Sequence, residues 1–243
     1  MTVRRLYVPD LPESGGVVTL AEGPSRHVRV LRLVGGDQVV LFDGRGGAAA
    51  AQLESVGDPI VCRAEAPTRV ETGRPRVVLM LAIPKGSKLD DCVRMATELG
   101  VDEVALMQTE RAVPRWDPQR ARSRVDRLTR VASEAAAQCE RNDIPIIHRP
   151  QTCDGWLSEM PEHARGVLFG ARARMALNLD GTSEPVWCAV GPEGGFTDTE
   201  VGLFQRAGFA VASLGRGVLR VDTAVAAALT IVQDRLEARL QAR

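Results

Sequence analysis

"VVLMLAI", Val77–Ile83, is an unbroken apolar run with no polar residue to mark an outer face. A strand buried on both faces reads this way, and such strands belong to parallel sheets covered by helices on each side. Directly beyond it, "KLDDCVRMATELG", Lys88–Gly100, changes to helical periodicity. It stops at Gly100, a residue type favoured just past a helix end. Strand followed by helix is the repeating unit of an α/β domain.

The pattern continues towards the C-terminus. "VALMQT", "IPIIH", "GVLFG", "VWCAV" and "AVASL" are further strand candidates. A helix is expected to begin at Asp117, with Pro118 in its first position, where the missing N–H leaves no bond unmade. "TDTEVGLFQRAG" opens with Thr197 and Glu200 at the spacing of a capping box. The last helix is expected from about Thr223 towards Leu240. Strands alternating with helices predict an α/β domain with a mainly parallel sheet.

Towards the N-terminus the texture differs. "GGVVTL", "DQVVLFDGRGG", "AAAAQLESV" and "PIVCRAEA" read as short strands with Gly-rich turns, and "PSRHVRVLRL" as a short helix between them. This is the pattern of a small β-barrel. The charged joint "PTRVETGRPR", residues 67–76, separates the two regions, so the expected domains are 1–71 and 72–243.

Bulk properties narrow the function. With 243 residues, 44% apolar and 26% charged, the chain can bury a globular core. A net charge of zero supplies no whole-molecule steering towards nucleic acid. Locally, residues 111–130 hold seven arginines against two aspartates, a pattern that fits either a phosphate-contacting patch or a solvated helix face. Lys85 and Lys88 are the only lysines, so part of that arginine density is habit. Five cysteines form no CxxC pair and three histidines lie far apart, so no zinc site or disulfide framework is expected. The N-terminus lacks an apolar signal segment and no run reaches membrane-spanning length, which predicts a cytoplasmic protein.

Ligands of open parallel sheets bind beyond the carboxyl ends of the strands. Three glycine-bearing loops fall there: "GARAR" from Gly170, "GPEGG" from Gly191, and "LGRGVLR" from Leu214. A phosphate-cradling GxxxxGK[ST], a dinucleotide GxGxxG and a GxSxG nucleophile elbow are all missing. On the helix from Asp117, Ala121, Val125, Leu128, Ala132, Ala135 and Cys139 form a core stripe. Glu134, Gln138 and Arg141 share the polar face, which suits either a solvated surface or the wall of a site.

"GPEGGFTDTEV" together with "LGRGVLRVDTAVAAAL" resembles the C-terminal motifs of the ribosomal small subunit methyltransferase E family, the 16S rRNA uridine-N3 methyltransferases of the SPOUT class. "HVRVLRLVGGDQVVLFDG" is similar to that family's N-terminal barrel, "KLDDCVRMATELGV" to its first domain helix, and "EAAAQCER" to its EAxxQxxR helix. The resemblance covers nearly the whole chain. It implies a PUA-like barrel that helps hold RNA, and a SPOUT domain closed by a C-terminal trefoil knot. It also implies a homodimer, S-adenosylmethionine as cofactor, no metal, and 16S rRNA in the small subunit as partner.

By this resemblance the cofactor walls would be Gly170, Gly191, Pro192, Glu193 and Gly194 on one side. Leu214, Gly215, Val218, Leu219, Arg220 and Thr223 would form the other. Arg220, with Gln138 and Arg141, would act on the uridine, and Arg4, Arg5, Arg29, Arg32 and Arg115 would contact RNA. Two residues depart from the family pattern: Asp222 stands where a Glu is usual, and Ala137 where a Glu often sits beside the Gln. Asp222 is expected to cap the last helix, with Asp222 or Glu134 the alternative proton acceptor. A SPOUT enzyme for another rRNA or tRNA base, and a non-catalytic RNA-binding assembly factor, are the competing functions.

Overall fold

The computed structural model describes residues 3–69, 73–112, 115–170, 179 and 184–241. The chain forms two compact units, residues 1–72 with 133–144, and residues 73–132 with 145–243.

The first unit is built on β1 (Arg4–Tyr7), β2 (Gly16–Thr19), β3 (Gln38–Phe42), β4 (Gly47–Val56), β5 (Ile60–Ala64) and β6 (Thr68–Arg69). The strands are ordered β1-β3-β4-β5-β2, with β6 beside β4. β1 lies parallel to β3, and the other pairs are antiparallel. β4 shows why the sheet folds this way. Ala49, Ala51 and Leu53 point into the core while Ala50, Gln52 and Glu54 face out, the two-residue period of a half-buried strand. α1 (Glu22–Val30) adds Val28 to that core. The segment 133–144 closes onto this unit: Ile144 N–H donates to the Gly44 carbonyl at 3.0 Å, and Gly46 N–H to that of Asn142 at 3.1 Å.

The second unit carries a six-stranded sheet of order β12-β10-β11-β7-β8-β9, parallel at every pairing. Its strands are β7 (Val77–Ala82), β8 (Glu103–Gln108), β9 (Ile146–Thr152), β10 (Arg165–Phe169), β11 (Val186–Val190) and β12 (Ala210–Ala212). Every residue of β7 and β11 is buried, as the two-sided apolar runs require. The helices are α2 (Lys88–Glu98), α3 (Pro118–Gln138), α4 (Cys153–Glu159), α5 (Asp198–Arg206) and α6 (Val221–Gln241). One face of the sheet packs Met80, Met107 and Leu168 against Trp156, Phe204 and Phe209. α6 packs on α2 and against β11.

Local signals act where the sequence places them. α3 begins at Pro118. Gly100 takes φ +80° beyond α2, a left-handed conformation that costs glycine little. The Thr197–Glu200 capping box is complete, with both reciprocal bonds made. At the amino edge of the sheet, Arg74 grips Asp102 with two bonds of 2.7 and 3.0 Å. Beside it, His148 Nε2 meets Glu103 Oε2 at 2.6 Å and Arg76 pairs with the same carboxylate. No described helix is long and apolar enough to cross a membrane.

Candidate functional site

The register of the parallel sheet sets the site. Ala212, Phe169, Val190, Leu81 and Leu106 stand side by side across β12, β10, β11, β7 and β8. The loops that follow these strands therefore leave the sheet at nearly one level. The three glycine loops singled out from sequence follow three adjacent strands. Of "GARAR", only Gly170 lies among the described residues; its N–H donates to the Ala212 carbonyl at 3.0 Å.

"GPEGG" is a tight turn, closed by Gly195 N–H donating to the Pro192 carbonyl at 2.8 Å. Two of its glycines have reasons internal to the fold. A Cβ on Gly191 would meet the Phe196 ring at 3.0 Å, and Gly195 sits at φ +67°. Phe196 in turn stacks edge-on against Phe204, so Gly191 is small because the aromatic core reaches up to it.

Neighbouring loops clamp this turn. The Glu193 carboxylate accepts from Lys85 N–H at 3.3 Å, with Lys88 Nζ 3.7 Å away, joining the β11 loop to the β7 loop. Arg111 Nη1 donates to the Gly194 carbonyl at 2.9 Å and joins the β8 loop to it. Glu200, only 7% exposed, is satisfied by Glu110 N–H and Thr197 N–H, each at 2.8 Å.

"LGRGVLR" is built differently. Ser213 Oγ donates to the Gly215 carbonyl at 2.8 Å and fixes the turn, with Gly215 at φ +136°. Beyond it the chain is open. Val218 is 84% exposed and Leu219 36%, and a Cβ on Gly217 would meet nothing within 4 Å. Arg220 is exposed and makes no ion pair among the described residues, and its carbonyl accepts from Ala224 N–H at 2.8 Å. Thr223 is exposed on the first turn of α6.

The expectation that Asp222 caps the last helix is not met. α6 begins at Val221, so Arg220 occupies the capping position and Asp222 lies inside the first turn. A side chain inside the turn cannot do what the preceding residue does for the first N–H groups. Asp222 Oδ1 is buried with no hydrogen-bond partner among the described residues.

Gln138 and Arg141 belong to the first unit, whereas Arg220 belongs to the second. Gln138 is exposed; the Arg141 guanidinium is bound by Asp143. Arg4, Arg29, Arg32 and Arg115 are exposed. Arg5 is turned inward: its guanidinium donates to Asn142 Oδ1 and lies 5.4 Å from the Phe42 ring centre. Burial lowers its pKa. Burial likewise pushes the thiols of Cys92, Cys153 and Cys188 up to about 12 and that of Cys62 to about 11, so these four are no thiolate nucleophiles at neutral pH. No group of three or more His, Cys, Asp or Glu side chains able to hold a metal occurs among the described residues.

With this arrangement in view, comparison with known proteins is decisive. The RNA methyltransferase domain family matches residues 72–233, and the RNA methyltransferase PUA domain family residues 25–62. The chain is 32% identical over 219 residues to the ribosomal RNA small subunit methyltransferase E of Synechocystis, covering 86% of this chain and 70% of the relative. It is 31% identical over 246 residues to the protein of that name from Mycobacterium tuberculosis, covering 96% and 92%. The chain belongs to the ribosomal RNA small subunit methyltransferase E family.

Solved structures agree with that membership. The methyltransferase E of Neisseria gonorrhoeae, crystallised bound to S-adenosyl methionine, matches with a TM-score of 0.88 at 27% identity, over 96% of this chain and 98% of that one. In this member of the methyltransferase E family, sequence reasoning missed Lys85, Lys88 and Arg111 as braces of the "GPEGG" turn. A signal for the lysines was present: the only two in the chain stand just past the apolar run of β7. Arg111 was hidden in the arginine-rich stretch, where a loop-bracing role looks like any other charge.

Proposed function

We propose that this chain transfers the methyl group of S-adenosylmethionine to N3 of one uridine of 16S rRNA, in the assembled small subunit and in the cytoplasm. The observation that carries this reading is the row of glycine loops at one level of the sheet, with Arg220 making no ion pair among the described residues, in a chain of the methyltransferase E family.

The residues suit the cofactor in kind. Pockets for small molecules combine apolar walls with a few placed polar groups. Leu214, Val218 and Leu219 offer apolar surface, Gly170 and Gly215 offer close backbone approach, and Gly191, Pro192 and Gly194 supply the backbone of the facing turn. Glu193, held by the two lysines, fixes its loop; Thr223 and the orphaned Asp222 Oδ1 are polar groups at the foot of the other wall. When bound, the cofactor supplies an electrophilic methyl carried on a sulfonium.

The protein's own part is alignment and charge. Uracil N3 carries a proton at neutral pH and attacks only as that proton leaves, which puts negative charge on the ring oxygens. Arg220, with no described acidic partner, is the cation proposed to stabilise that charge. Gln138 and Arg141 are assigned to contact with the nucleotide, with Asp143 holding the Arg141 guanidinium in one orientation. Asp222 and Glu134 remain the acids available to take the proton.

Phosphate contacts are assigned to Arg4, Arg29, Arg32 and Arg115, all exposed. Arg5 is assigned with them, its guanidinium also serving Asn142 and the Arg141 carbonyl. The working form is proposed to be a homodimer, with a trefoil-knotted SPOUT domain over residues 72–243 and a PUA-like RNA-holding domain over residues 1–71.

The test uses labelled S-adenosylmethionine and small subunits from cells lacking the native modification. Label in 3-methyluridine of 16S rRNA is the expected result. Label in another nucleoside would keep the methyl transfer and discard the N3 assignment. No label, with no cofactor binding by calorimetry, would leave a non-catalytic RNA-binding factor.

A further inference from the structure

Arg141 stands just past the end of α3, in the segment 133–144 that belongs to the first unit. Its N–H donates back to the Ala136 carbonyl at 3.0 Å, and Glu140 before it takes φ +63°. This is the helix ending in which glycine is the usual left-handed residue. A glutamate in that conformation persists only where its surroundings over-determine it.

The first unit supplies those surroundings. The Asn142 carbonyl accepts from Gly46 N–H at 3.1 Å, the Gly44 carbonyl accepts from Ile144 N–H at 3.0 Å, and Asp143 bridges to Gly44 and Arg45. The β3–β4 turn that makes these contacts is itself fixed. Its buried Asp43 accepts from Arg45 N–H at 2.7 Å and from Gly47 N–H at 2.9 Å. A Cβ on Gly44 would meet Ile144 Cδ1 at 2.9 Å, so the two segments approach as closely as glycine allows.

Arg5 of β1 completes the frame. Its Nη2 donates to the Asn142 side-chain oxygen and, at 3.3 Å, to the Arg141 carbonyl. Its Nε is buried with no hydrogen-bond partner among the described residues, and the guanidinium lies over the Phe42 ring. Leaving that donor unmade is destabilising, so the two bonds Nη2 does make are the reason to hold an arginine here. Both fall on the turn whose first residue, Arg141, has its guanidinium gripped by Asp143.

We propose that Arg5, in addition to its phosphate contact, is a positioning residue: together with Asn142 it fixes the main chain at Arg141 and so sets where that guanidinium meets the nucleotide. The proposal rests on the reading that Arg141 contacts the nucleotide.

Arg5→Met, Asn142→Ala and Arg141→Ala test it, with the two double variants that combine each of the first two with Arg141→Ala. Each is measured by thermal melting, by calorimetry with S-adenosylmethionine, and by steady-state methylation of small subunits. Arg5→Met and Asn142→Ala are each expected to bind the cofactor normally and to lose about 10- to 100-fold in kcat, as a misplacement of roughly 1 Å does. In the Arg141→Ala background the same changes should cost less than about twofold, because residues that act through one another do not add. Asn142→Ala keeps the Arg5 charge, and it keeps the test open if Arg5→Met does not fold. A higher KM with unchanged kcat would leave Arg5 a phosphate contact only and overturn the positioning role. Losses that multiply in the double variants would overturn it too, since a purely structural defect behaves that way. An Arg141→Ala enzyme with wild-type kcat and KM overturns the nucleotide contact itself, a result distinct from the other two.

Discussion

Glu200 Oε1 accepts the backbone N–H of Glu110 at 2.8 Å, tying the loop after β8 to the first turn of α5 across ninety residues of sequence. The other oxygen of the same carboxylate takes Thr197 N–H at 2.8 Å. One buried side chain therefore completes a helix cap and braces the loop after β8.

Glu200→Ala removes both bonds and leaves two backbone donors without partners. A loss of about 2–4 kcal/mol is expected, summing a lost cap and an unsatisfied donor. Urea unfolding followed by tryptophan fluorescence reads it directly. A loss below half a kcal/mol would mean that water replaces the carboxylate without penalty.

Arg220→Ala addresses the chemistry. Removing one donor to developing negative charge typically slows turnover by about 100- to 1,000-fold. Such a drop in kcat is expected while the affinity for S-adenosylmethionine stays near wild type. Arg220→Lys should recover part of the rate, since it restores charge but not the planar fork.

Glycine substitutions separate fold from ligand. Gly195→Ala places a side chain at φ +67° and should cost about 1 kcal/mol of stability. Gly217 has open space around it and no positive φ, so Gly217→Ala should melt like wild type. If "LGRGVLR" is a cofactor wall, that same variant will weaken S-adenosylmethionine binding several-fold by calorimetry. Normal binding would move the wall elsewhere.

Acid stability has a predictable sign. The hydrogen bond from His148, opposed in part by burial and helped by Arg76, holds the Glu103 carboxyl below the usual carboxylate range. A depressed carboxylate contributes stability above its unfolded pKa, near 4.3. That contribution is lost as pH falls through the lower folded value. Glu103→Gln should therefore be less stable than wild type at pH 6, and the gap should close below about pH 4. A gap independent of pH would assign the difference to packing.

Much of the second unit was legible because its signals are local. Pro118, Gly100 and the Thr197–Glu200 pair each mark a helix end through chemistry within a turn or two. The all-apolar strands β7 and β11 announce a two-sided sheet. β9 was expected over "IPIIH", but it starts at Ile146, because Ile144 is spent on Gly44 of the first unit. β1 pairs in parallel with β3, a contact that no local pattern of "RRLY" discloses. α4 was missed because seven residues are too few to show a period, although Thr152 caps it from the end of β9. At the site, the glycine loops were visible as loops. The fit of Glu193 to Lys85 depends on strand order, which spacing does not contain.

The buried thiols carry a practical consequence. Cys62 lies in the first unit and Cys92, Cys153 and Cys188 in the second, all buried. A disulfide-exchange reagent added to the native protein will find these four sulfurs closed, and each becomes reactive only when its own unit opens. Peptide mapping of the modified sulfurs along a denaturant series thus gives two internal clocks within a single unlabelled chain. It would report whether the two units come apart together or in turn.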